Sequence, residues 1–341
     1  MLELLNRYDT LLLDLDGTIF AGDKLIPGAV EGIADRGRVF VTNNASRSPE
    51  EVVEHLGCLG ISAIPSEVLT SAQAAATLAA ETMAQERPGA GPLKALVVGS
   101  QSLRNLTREA GFELTDSADN APDVVLQGHS PENNWARLSE ATLAITRGAR
   151  YIASNLDTTL PSSRGFLVGN GSMVAAVVSA TGVQPLSAGK PQPAMFHVAA
   201  RKAGASAPLV VGDRLDTDIA GGRAAEMDTL MVLTGVSTHW DVIHTGHRPT
   251  HIRANLSEEL GGWTAEVTEP HTITITAGEN PADGRYTATG FATPEQLTAA
   301  AALAAAAPRA WELLDAGTTR DQLRIIGSDP LAADAIAAWR D

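Results

Sequence analysis

The stretch Leu11-Leu12-Leu13-Asp14-Leu15-Asp16-Gly17-Thr18 decides the fold of this chain, because an apolar strand there ends in two carboxylates and a glycine turn. Side chains alternate along a strand, so we predict that Asp14 and Asp16 point the same way. Two like charges that close repel each other unless a cation lies beside them, and a divalent cation suits two carboxylates. The run alone indicates either a reaction centre or an apolar strand that ends in a polar turn.

The size and charge of the chain limit the classes of protein it can be. Its 341 residues suit two or three domains, and 44% hydrophobic residues with only 4% aromatic ones favour an α/β architecture. A net charge of −15 argues against nucleic acid and anionic membrane surfaces as partners. The single cysteine, Cys58, excludes an internal disulfide and a cysteine zinc site, and we expect it to be buried in a helix.

The distribution of apolar residues predicts a cytoplasmic protein. Residues 1–7 lack the basic start of a signal peptide. The Ala-rich run Ala299–Ala307 is far shorter than the roughly 20 residues that span a bilayer.

Short apolar runs alternate with helical patterns along most of the chain, which predicts right-handed βαβ crossovers and a mainly parallel, Rossmann-like sheet. The predicted strands are Leu11–Asp16, Val39–Thr42, Ala95–Val98, Val124–Leu126, Tyr151–Ala153, Leu209–Gly212 and Leu230–Leu233. The predicted helices are Pro49–Leu59, Ser102–Ala110, Trp135–Thr146, Pro193–Lys202 and Asp218–Ala225.

The pattern changes beyond about Asn255, where we predict a small α+β appendix. Thr272–Thr276 and Tyr286–Thr289 alternate around a turn-rich segment, which predicts a hairpin. Thr293-Pro294-Glu295-Gln296 supplies a cap, a first-turn proline and a capping-box partner for an Ala-rich helix. The appendix has no Gly-rich pyrophosphate loop, so we expect a docking, dimerising or ligand-binding module without catalysis of its own.

Three further polar clusters follow predicted strands or precede predicted helices, where open α/β sheets place their ligands. They are Thr42-Asn43-Asn44, Gly189-Lys190-Pro191 and the acidic run Gly212-Asp213-Arg214-Leu215-Asp216-Thr217-Asp218. If they gather at one edge of one sheet with the first run, they form a cation site and an oxyanion cradle.

In these four motifs the chain resembles the haloacid dehalogenase superfamily, over residues 5–260. The long segment between the second and third motifs corresponds to that family's C2-type cap. The resemblance implies a core of residues 1–70 and 187–260, a cap of residues 71–186 and an extension of residues 261–341. The details Asn155-Leu156-Asp157 and Gly169-Asn170-Gly171 look like the branch with p-nitrophenyl, phosphoglycolate and glycerol-3-phosphate phosphatases.

The resemblance implies a Mg²⁺-dependent phosphatase that works through an aspartyl-phosphate. Asp14 would be the nucleophile and Asp16 the general acid and base. The metal would bind the Asp14 carboxylate, the Asp16 carbonyl and Asp213. Asp218 would orient a metal-bound water, and Thr42, the Asn43 backbone and Lys190 would hold the phosphoryl oxygens. Asp218 could instead simply begin a helix and complement its dipole.

The resemblance leaves the substrate and the cap residues open. Arg47 and Arg164 either attract phosphate or are ordinary solvated charges, and Asn155 and Asp157 either contact the substrate or only shape the cap hinge. A small phosphorylated metabolite is the expected partner, with glycerol 3-phosphate favoured over phosphoglycolate and pyridoxal phosphate. A homodimer is compatible with the resemblance, because capped members of the family often pair. The alternative from a different class is a phosphorylation-dependent switch of the receiver type.

Overall fold

The structure, a computed structural model, describes residues 4–162, 164–258, 262–278 and 291–340. The chain forms two compact units, Met1–Arg38 with Ala203–Asp341 and Val39–Lys202. These bounds differ from the predicted core, cap and extension, and that three-part division stays a prediction. No helix among the described residues is long and apolar enough to cross a membrane.

Eighteen strands are assigned within the described ranges. In chain order they are β1 (Thr10–Leu13), β2 (Phe20–Ala21), β3 (Lys24–Leu25), β4 (Gly37–Thr42), β5 (Val68–Thr70), β6 (Lys94–Val98), β7 (Glu113–Thr115), β8 (Val124–Gln127), β9 (Arg150–Ala153), β10 (Thr159–Ser162), β11 (Gly165–Val168), β12 (Leu186–Ser187), β13 (Pro208–Gly212), β14 (Asp228–Val232), β15 (His251–Arg253), β16 (Thr264–Glu269), β17 (Thr272–Thr276) and β18 (Arg324–Gly327).

Eleven α-helices are assigned in the same ranges. They are α1 (Ala29–Ile33), α2 (Pro49–Cys58), α3 (Ser71–Glu86), α4 (Gln101–Glu109), α5 (Trp135–Thr146), α6 (Asn170–Thr181), α7 (Ala194–Ala203), α8 (Ala220–Ala224), α9 (His239–His244), α10 (Pro294–Asp315) and α11 (Pro330–Ala337). A π-helical turn, Leu215–Ile219, leads directly into α8.

The first unit contains parallel strands in the order β15, β14, β13, β1. All four residues of β1 are buried, as are four of the five in β13 and four of the five in β14. Strands buried on both faces are typical of a parallel sheet covered by helices. The carboxyl ends of β1, β13 and β14 therefore lie at one edge of this sheet, which is where open α/β sheets place their ligands.

The C-terminal part of the first unit is a mixed three-stranded sheet, in the order β16-β17-β18, with two helices. Helix α10 begins with the predicted capping box, in which Thr293 and Gln296 bond each other's backbone N–H groups. Its buried face is mostly alanine, and this face packs in one cluster with Val242, Ile243 and Trp339. The small side chains allow neighbouring helices to approach closely, so the extension shares a core with α9.

The second unit contains the parallel pair β4–β5 and a five-stranded parallel sheet in the order β12-β9-β8-β6-β7. Helices α5 and α6 cover the larger sheet through an apolar cluster that includes Val98, Val125, Ile145 and Val174. Strands β10 and β11 form a separate antiparallel hairpin. The predicted α/β class with parallel sheets is thus confirmed.

Three predictions about local structure are wrong. Strand β1 ends at Leu13, so Asp14 and Asp16 lie beyond it, and Asp16 is exposed while Asp14 is half-buried. Cys58 ends α2 but is exposed. The antiparallel partner of Thr272–Thr276 is the preceding Thr264–Glu269, and its other edge pairs with β18. The predicted hairpin partner, Tyr286–Thr289, lies outside the described residues.

Candidate active site

Three carboxylates of the first unit converge at the carboxyl ends of β1 and β13. Oxygen atoms of Asp14, Asp213 and Asp218 all lie within 4.8 Å of one another. Asp14 is held at the end of β1 by the sheet, because its N–H donates to the Val211 carbonyl at 2.9 Å. The first and fourth of the predicted motifs therefore meet in space.

The chemistry of this cluster fits Mg²⁺. Asp213 and Asp218 are 0% and 1% exposed, and buried like charges at this separation are costly without a cation. Carboxylate oxygens are the ligands that Mg²⁺ prefers in proteins. The Asp16 carboxylate is not in the cluster, and its expected contribution through the carbonyl stays a prediction. Asp218, expected to orient a water, belongs to the same group of carboxylates within 4.8 Å of one another.

The Asp213 carboxylate is packed between two glycines. A Cβ on Gly17 would come within 2.5 Å of Asp213 Oδ2, and a Cβ on Gly235 would overlap the same oxygen. Gly17 also has a φ of +87°, a conformation that favours glycine. Oδ2 accepts a hydrogen bond of 2.7 Å from the N–H of Val236, which fixes the orientation of the carboxylate.

Asp218 lies in the π-helical turn, and π turns often occur at functional sites. Its Oδ2 accepts a hydrogen bond of 3.2 Å from the Arg214 N–H. The Arg214 guanidinium instead pairs with the exposed Asp216, and this hydrogen bond is the main cause that raises the pKa of Arg214 above its usual value. The Arg214 guanidinium thus pairs with Asp216, although Arg214 precedes Asp218 by only four residues.

The loop that joins β14 to α9 (residues 233–238, called here the β14–α9 loop) contacts both halves of the acidic site. The Thr234 hydroxyl donates to the Gly17 carbonyl at 2.6 Å. The Ser237 hydroxyl accepts from the Leu215 N–H at 3.1 Å, and the Ser237 N–H donates to the Asp213 carbonyl at 3.2 Å. This loop fixes the position of the two loops that carry the carboxylates.

The sequence predictions miss the β14–α9 loop. Its run Thr234-Gly235-Val236-Ser237-Thr238 follows a buried strand and contains a glycine and three hydroxyl side chains. Those are the same features that mark the other motifs at strand ends. They could have identified this loop as a fifth motif.

In the second unit, Asn43 links the second and third motifs. Its Oδ1 accepts a hydrogen bond of 2.9 Å from the Lys190 N–H, and its Nδ2 donates to the Lys190 carbonyl at 3.1 Å. The same Nδ2 lies 3.2 Å from Asp157 Oδ2. Asn43, predicted to bind phosphate through its backbone, thus uses its side chain to hold Lys190.

Asn155 belongs to the same network, together with two residues that the sequence predictions did not assign to the site. The Asn43 carbonyl accepts hydrogen bonds from Asn155 Nδ2 at 2.8 Å and from Ser71 Oγ at 2.6 Å. Asn170 Nδ2 in turn donates to the Asn155 carbonyl at 2.8 Å. Asn155 therefore contacts the carbonyl of Asn43, and Asp157 contacts its side chain.

The remaining predicted residues of the second unit differ in burial. Thr42 and Lys190 are each 5% exposed, and Lys190 Nζ donates to the Val41 carbonyl at 3.3 Å. A buried ammonium group is costly unless anions or several hydrogen bonds compensate it, which suits a phosphate ligand. Arg47 and Arg164 are exposed.

Comparisons with known proteins agree with this geometry. Family models for a haloacid dehalogenase-like hydrolase and a HAD-hydrolase-like domain match residues 11–113 and 187–259. The chain is 41% identical to a D-glycerol 3-phosphate phosphatase of Mycobacterium tuberculosis, over 99% of this chain and 96% of that protein. The chain belongs to the haloacid dehalogenase-like hydrolases.

Solved structures of haloacid dehalogenase-like hydrolases share the fold. The glycerol phosphate phosphatase of M. tuberculosis in complex with magnesium has a TM-score of 0.80 at 39% identity, covering 97% of each chain. NagD from Escherichia coli K-12 has a TM-score of 0.66 at 30% identity, covering 74% of this chain and 98% of its own. The predicted Rossmann-like fold and the predicted enzyme class, a phosphatase, are confirmed. The alternative of a receiver-type switch is wrong.

Proposed function

We propose that the protein is a Mg²⁺-dependent phosphatase that hydrolyses D-glycerol 3-phosphate. The observation that carries the substrate is the likeness to the M. tuberculosis D-glycerol 3-phosphate phosphatase over 99% of this chain. An acid sugar phosphatase of Staphylococcus saprophyticus is 37% identical, and the match covers 75% of this chain and 98% of that protein. About a quarter of the chain is therefore shared with the glycerol phosphate enzyme and not with the sugar phosphatase.

In the proposed reaction the Asp14 carboxylate attacks phosphorus while the bond from phosphorus to the glycerol oxygen breaks. The Asp16 carboxyl group gives its proton to the leaving alkoxide, so glycerol departs as a neutral alcohol. A water molecule then attacks phosphorus and passes a proton to the Asp16 carboxylate. Phosphate leaves and the Asp14 carboxylate is restored.

The remaining residues hold charge in place during both steps. The Asp14 and Asp213 carboxylates and the Asp16 carbonyl would hold Mg²⁺, and Asp218 would orient a metal-bound water; the ion, when bound, would neutralise charge on the transferring phosphoryl group. Thr42, the Asn43 backbone and Lys190 hold the phosphoryl oxygens. The close mutual positions of the first three carboxylates support the first assignment, and the burial of Thr42 and Lys190 supports the second.

The division into three parts belongs to the same proposal. Residues 1–70 and 187–260 form the catalytic core, residues 71–186 form the cap that selects the leaving alcohol, and residues 261–341 form the extension. Arg47 and Arg164, both exposed, are proposed to attract the anionic substrate. Asn155 and Asp157 are proposed to position Asn43, because both bond to it.

Phosphate release with Mg²⁺ tests this proposal directly. Glycerol 3-phosphate, phosphoglycolate and pyridoxal 5′-phosphate are compared by kcat/KM, and the D- and L-forms of glycerol 3-phosphate are compared separately. D14N should bind Mg²⁺ less tightly and lose turnover by several orders of magnitude, because the amide is not a nucleophile. D35N, which changes an exposed aspartate of the same unit, should keep the wild-type rate.

The results of these assays test the phosphatase class and the proposed substrate separately. A higher kcat/KM for phosphoglycolate or pyridoxal 5′-phosphate would contradict the substrate and leave the phosphatase class intact. Undiminished turnover in D14N would contradict the mechanism itself.

A further inference from the structure

The last residues of the extension contact both ends of the β14–α9 loop. Arg340 Nη2 donates to the carbonyl of Leu233, at the start of the loop, at 3.2 Å. The backbone N–H of Arg340 donates to Nδ1 of His239, directly after the loop, at 3.3 Å. One residue thus contacts both ends of the segment that orients Asp213.

Trp339 anchors Arg340 to the rest of the extension. Its indole Nε1 donates to the Ala299 carbonyl of α10 at 3.1 Å, and the side chain is 7% exposed. The ring stacks on His239 with centroids 6.1 Å apart and planes at 13°, and it meets Trp240 edge-on at 5.2 Å. Buried aromatic contacts of this kind hold Arg340 in a defined place.

The start of the β14–α9 loop packs on one side and borders a cavity on the other, because Leu233 packs against apolar clusters that include Ile243 and Leu297. Among the described residues, a cavity of about 320 Å³ is lined by Leu233, Thr234, His239, Gln296 and Arg340, with others. On the side of the cavity the loop therefore has fewer packing contacts with the described residues. The two hydrogen bonds from Arg340 supplement the packing of Leu233 and the bond from its N–H to the Arg253 carbonyl.

We infer that Arg340 is a positioning residue for the metal site, and that the extension sets the affinity for Mg²⁺ through the β14–α9 loop. The inference rests on the proposed binding of Mg²⁺ by Asp213. Arg340 bonds to Leu233 at the start of the loop. Further along the loop, Val236 bonds to Asp213 and Thr234 bonds to Gly17. Mutation of a group that hydrogen-bonds directly to a metal ligand typically weakens metal binding about 10–100-fold. Arg340 contacts the loop and not the ligand itself, so we expect a smaller effect.

The test measures Mg²⁺ binding to the full-length chain by isothermal titration calorimetry, without substrate. R340A should raise the Kd for Mg²⁺ about 3–10-fold. R340K should lie closer to wild type, because a lysine can donate to the Leu233 carbonyl. R324A removes the same charge from an exposed position of β18 and should stay within about twofold of wild type. At saturating Mg²⁺, kcat of R340A should return towards the wild-type value.

T234V, which keeps the shape of Thr234 and removes its hydroxyl, tests the path. If Arg340 acts through the β14–α9 loop, the Kd of the double variant should rise by less than the product of the two single effects. Full multiplication of the two effects would overturn the inference. So would a Kd in R340A equal to that in R324A, whatever the melting temperatures.

Failure of the inference and failure of the proposed function are distinguishable. If wild type binds Mg²⁺ and R340A weakens that binding, but glycerol 3-phosphate is not hydrolysed, only the proposed substrate fails. If wild type binds no Mg²⁺, the inference and the proposed cofactor fail together.

Discussion

Asn43 and Lys190 bind each other through both polar atoms of the asparagine side chain, although 147 positions separate them in the chain. Oδ1 accepts the Lys190 N–H and Nδ2 donates to the Lys190 carbonyl. The Asn43 amide therefore fixes the backbone of Lys190. The position of that backbone in turn determines where the buried ammonium group can lie.

We predict that N43A loses both stability and activity. The change leaves the Lys190 N–H and carbonyl without this partner, and such a loss costs about 1–3 kcal/mol in the free energy of unfolding. Misplacement of Lys190 should lower kcat/KM on the order of 10–100-fold. Urea unfolding and steady-state kinetics measure the two effects.

The control for N43A is N105A, because Asn105 is an exposed residue of α4 in the same unit. Its free energy of unfolding should change by less than about 0.5 kcal/mol. A kcat/KM of N43A equal to that of N105A would show that Asn43 does not position Lys190.

We predict that D213N has opposite effects on metal binding and on the stability of the metal-free protein. Loss of one carboxylate should weaken Mg²⁺ binding by at least about tenfold. Without metal, the same change removes repulsion among three close carboxylates, so the metal-free variant should gain about 0.5–2 kcal/mol in the free energy of unfolding. Calorimetric titration and thermal unfolding in EDTA measure both quantities.

D35N is the control for D213N. Asp35 lies in the same unit, but it is exposed and is not one of the three close carboxylates. Mg²⁺ affinity should change little in D35N. If D213N destabilised the metal-free protein, repulsion within the cluster would not be the dominant effect of this carboxylate.

The parts of the fold that sequence predicts well are those that depend on neighbours a few residues apart. The capping box of Thr293 and Gln296 and the first-turn proline of α2 are complete within four residues, and both helices begin where expected. The motifs of Asp14, Thr42 and Asp213 are also visible locally, because each has a buried strand followed by polar residues. The Lys190 motif is visible from the helix that follows it. Three of the predicted carboxylates therefore do come together.

The parts that sequence does not predict depend on distant contacts. The bond from Thr234 to Gly17 joins positions 217 residues apart, so no local pattern reports it. Strand β17 alternates equally well for any partner, and only the folded chain selects β16 and β18. The apolar pattern continues to Leu15, although β1 ends at Leu13, so the pattern alone makes the strand too long.

We predict that G235A disrupts the metal site while leaving the fold intact. A Cβ at this position would overlap Asp213 Oδ2, so either the carboxylate or the β14–α9 loop must move. The Kd for Mg²⁺ should rise at least about tenfold, since the ligand loses its orientation. Titration of the full-length variant with Mg²⁺ measures this change.

G246A provides the comparison for G235A, because a Cβ on Gly246 would meet no described atom within 4 Å. Both variants make the same chemical change in one unit, so their difference isolates the contact with Asp213. Equal Mg²⁺ affinities in the two variants would mean that Asp213 tolerates the displacement.

We predict that acid destabilises the protein partly through His239. Burial, and then the charge of Arg340, lower the pKa of this ring from 6.5 to about 4. The folded chain therefore keeps His239 neutral where the unfolded chain protonates it, so the unfolded state binds more protons between pH 6.5 and 4. The contribution of His239 to the free energy of unfolding is fully present above pH 6.5. It falls by up to about 3 kcal/mol as the pH drops to 4.

H239N should reduce this dependence on pH, because asparagine does not titrate and its Oδ1 can still accept the Arg340 N–H. Urea unfolding of wild type and H239N at several pH values between 7 and 4 measures the two slopes. H197N, a change at an exposed histidine, should keep the wild-type slope. Some slope should survive in H239N, since burial also lowers the pKa values of His244 and His251. Identical slopes in wild type and H239N would show that the folded chain does not keep the His239 ring neutral.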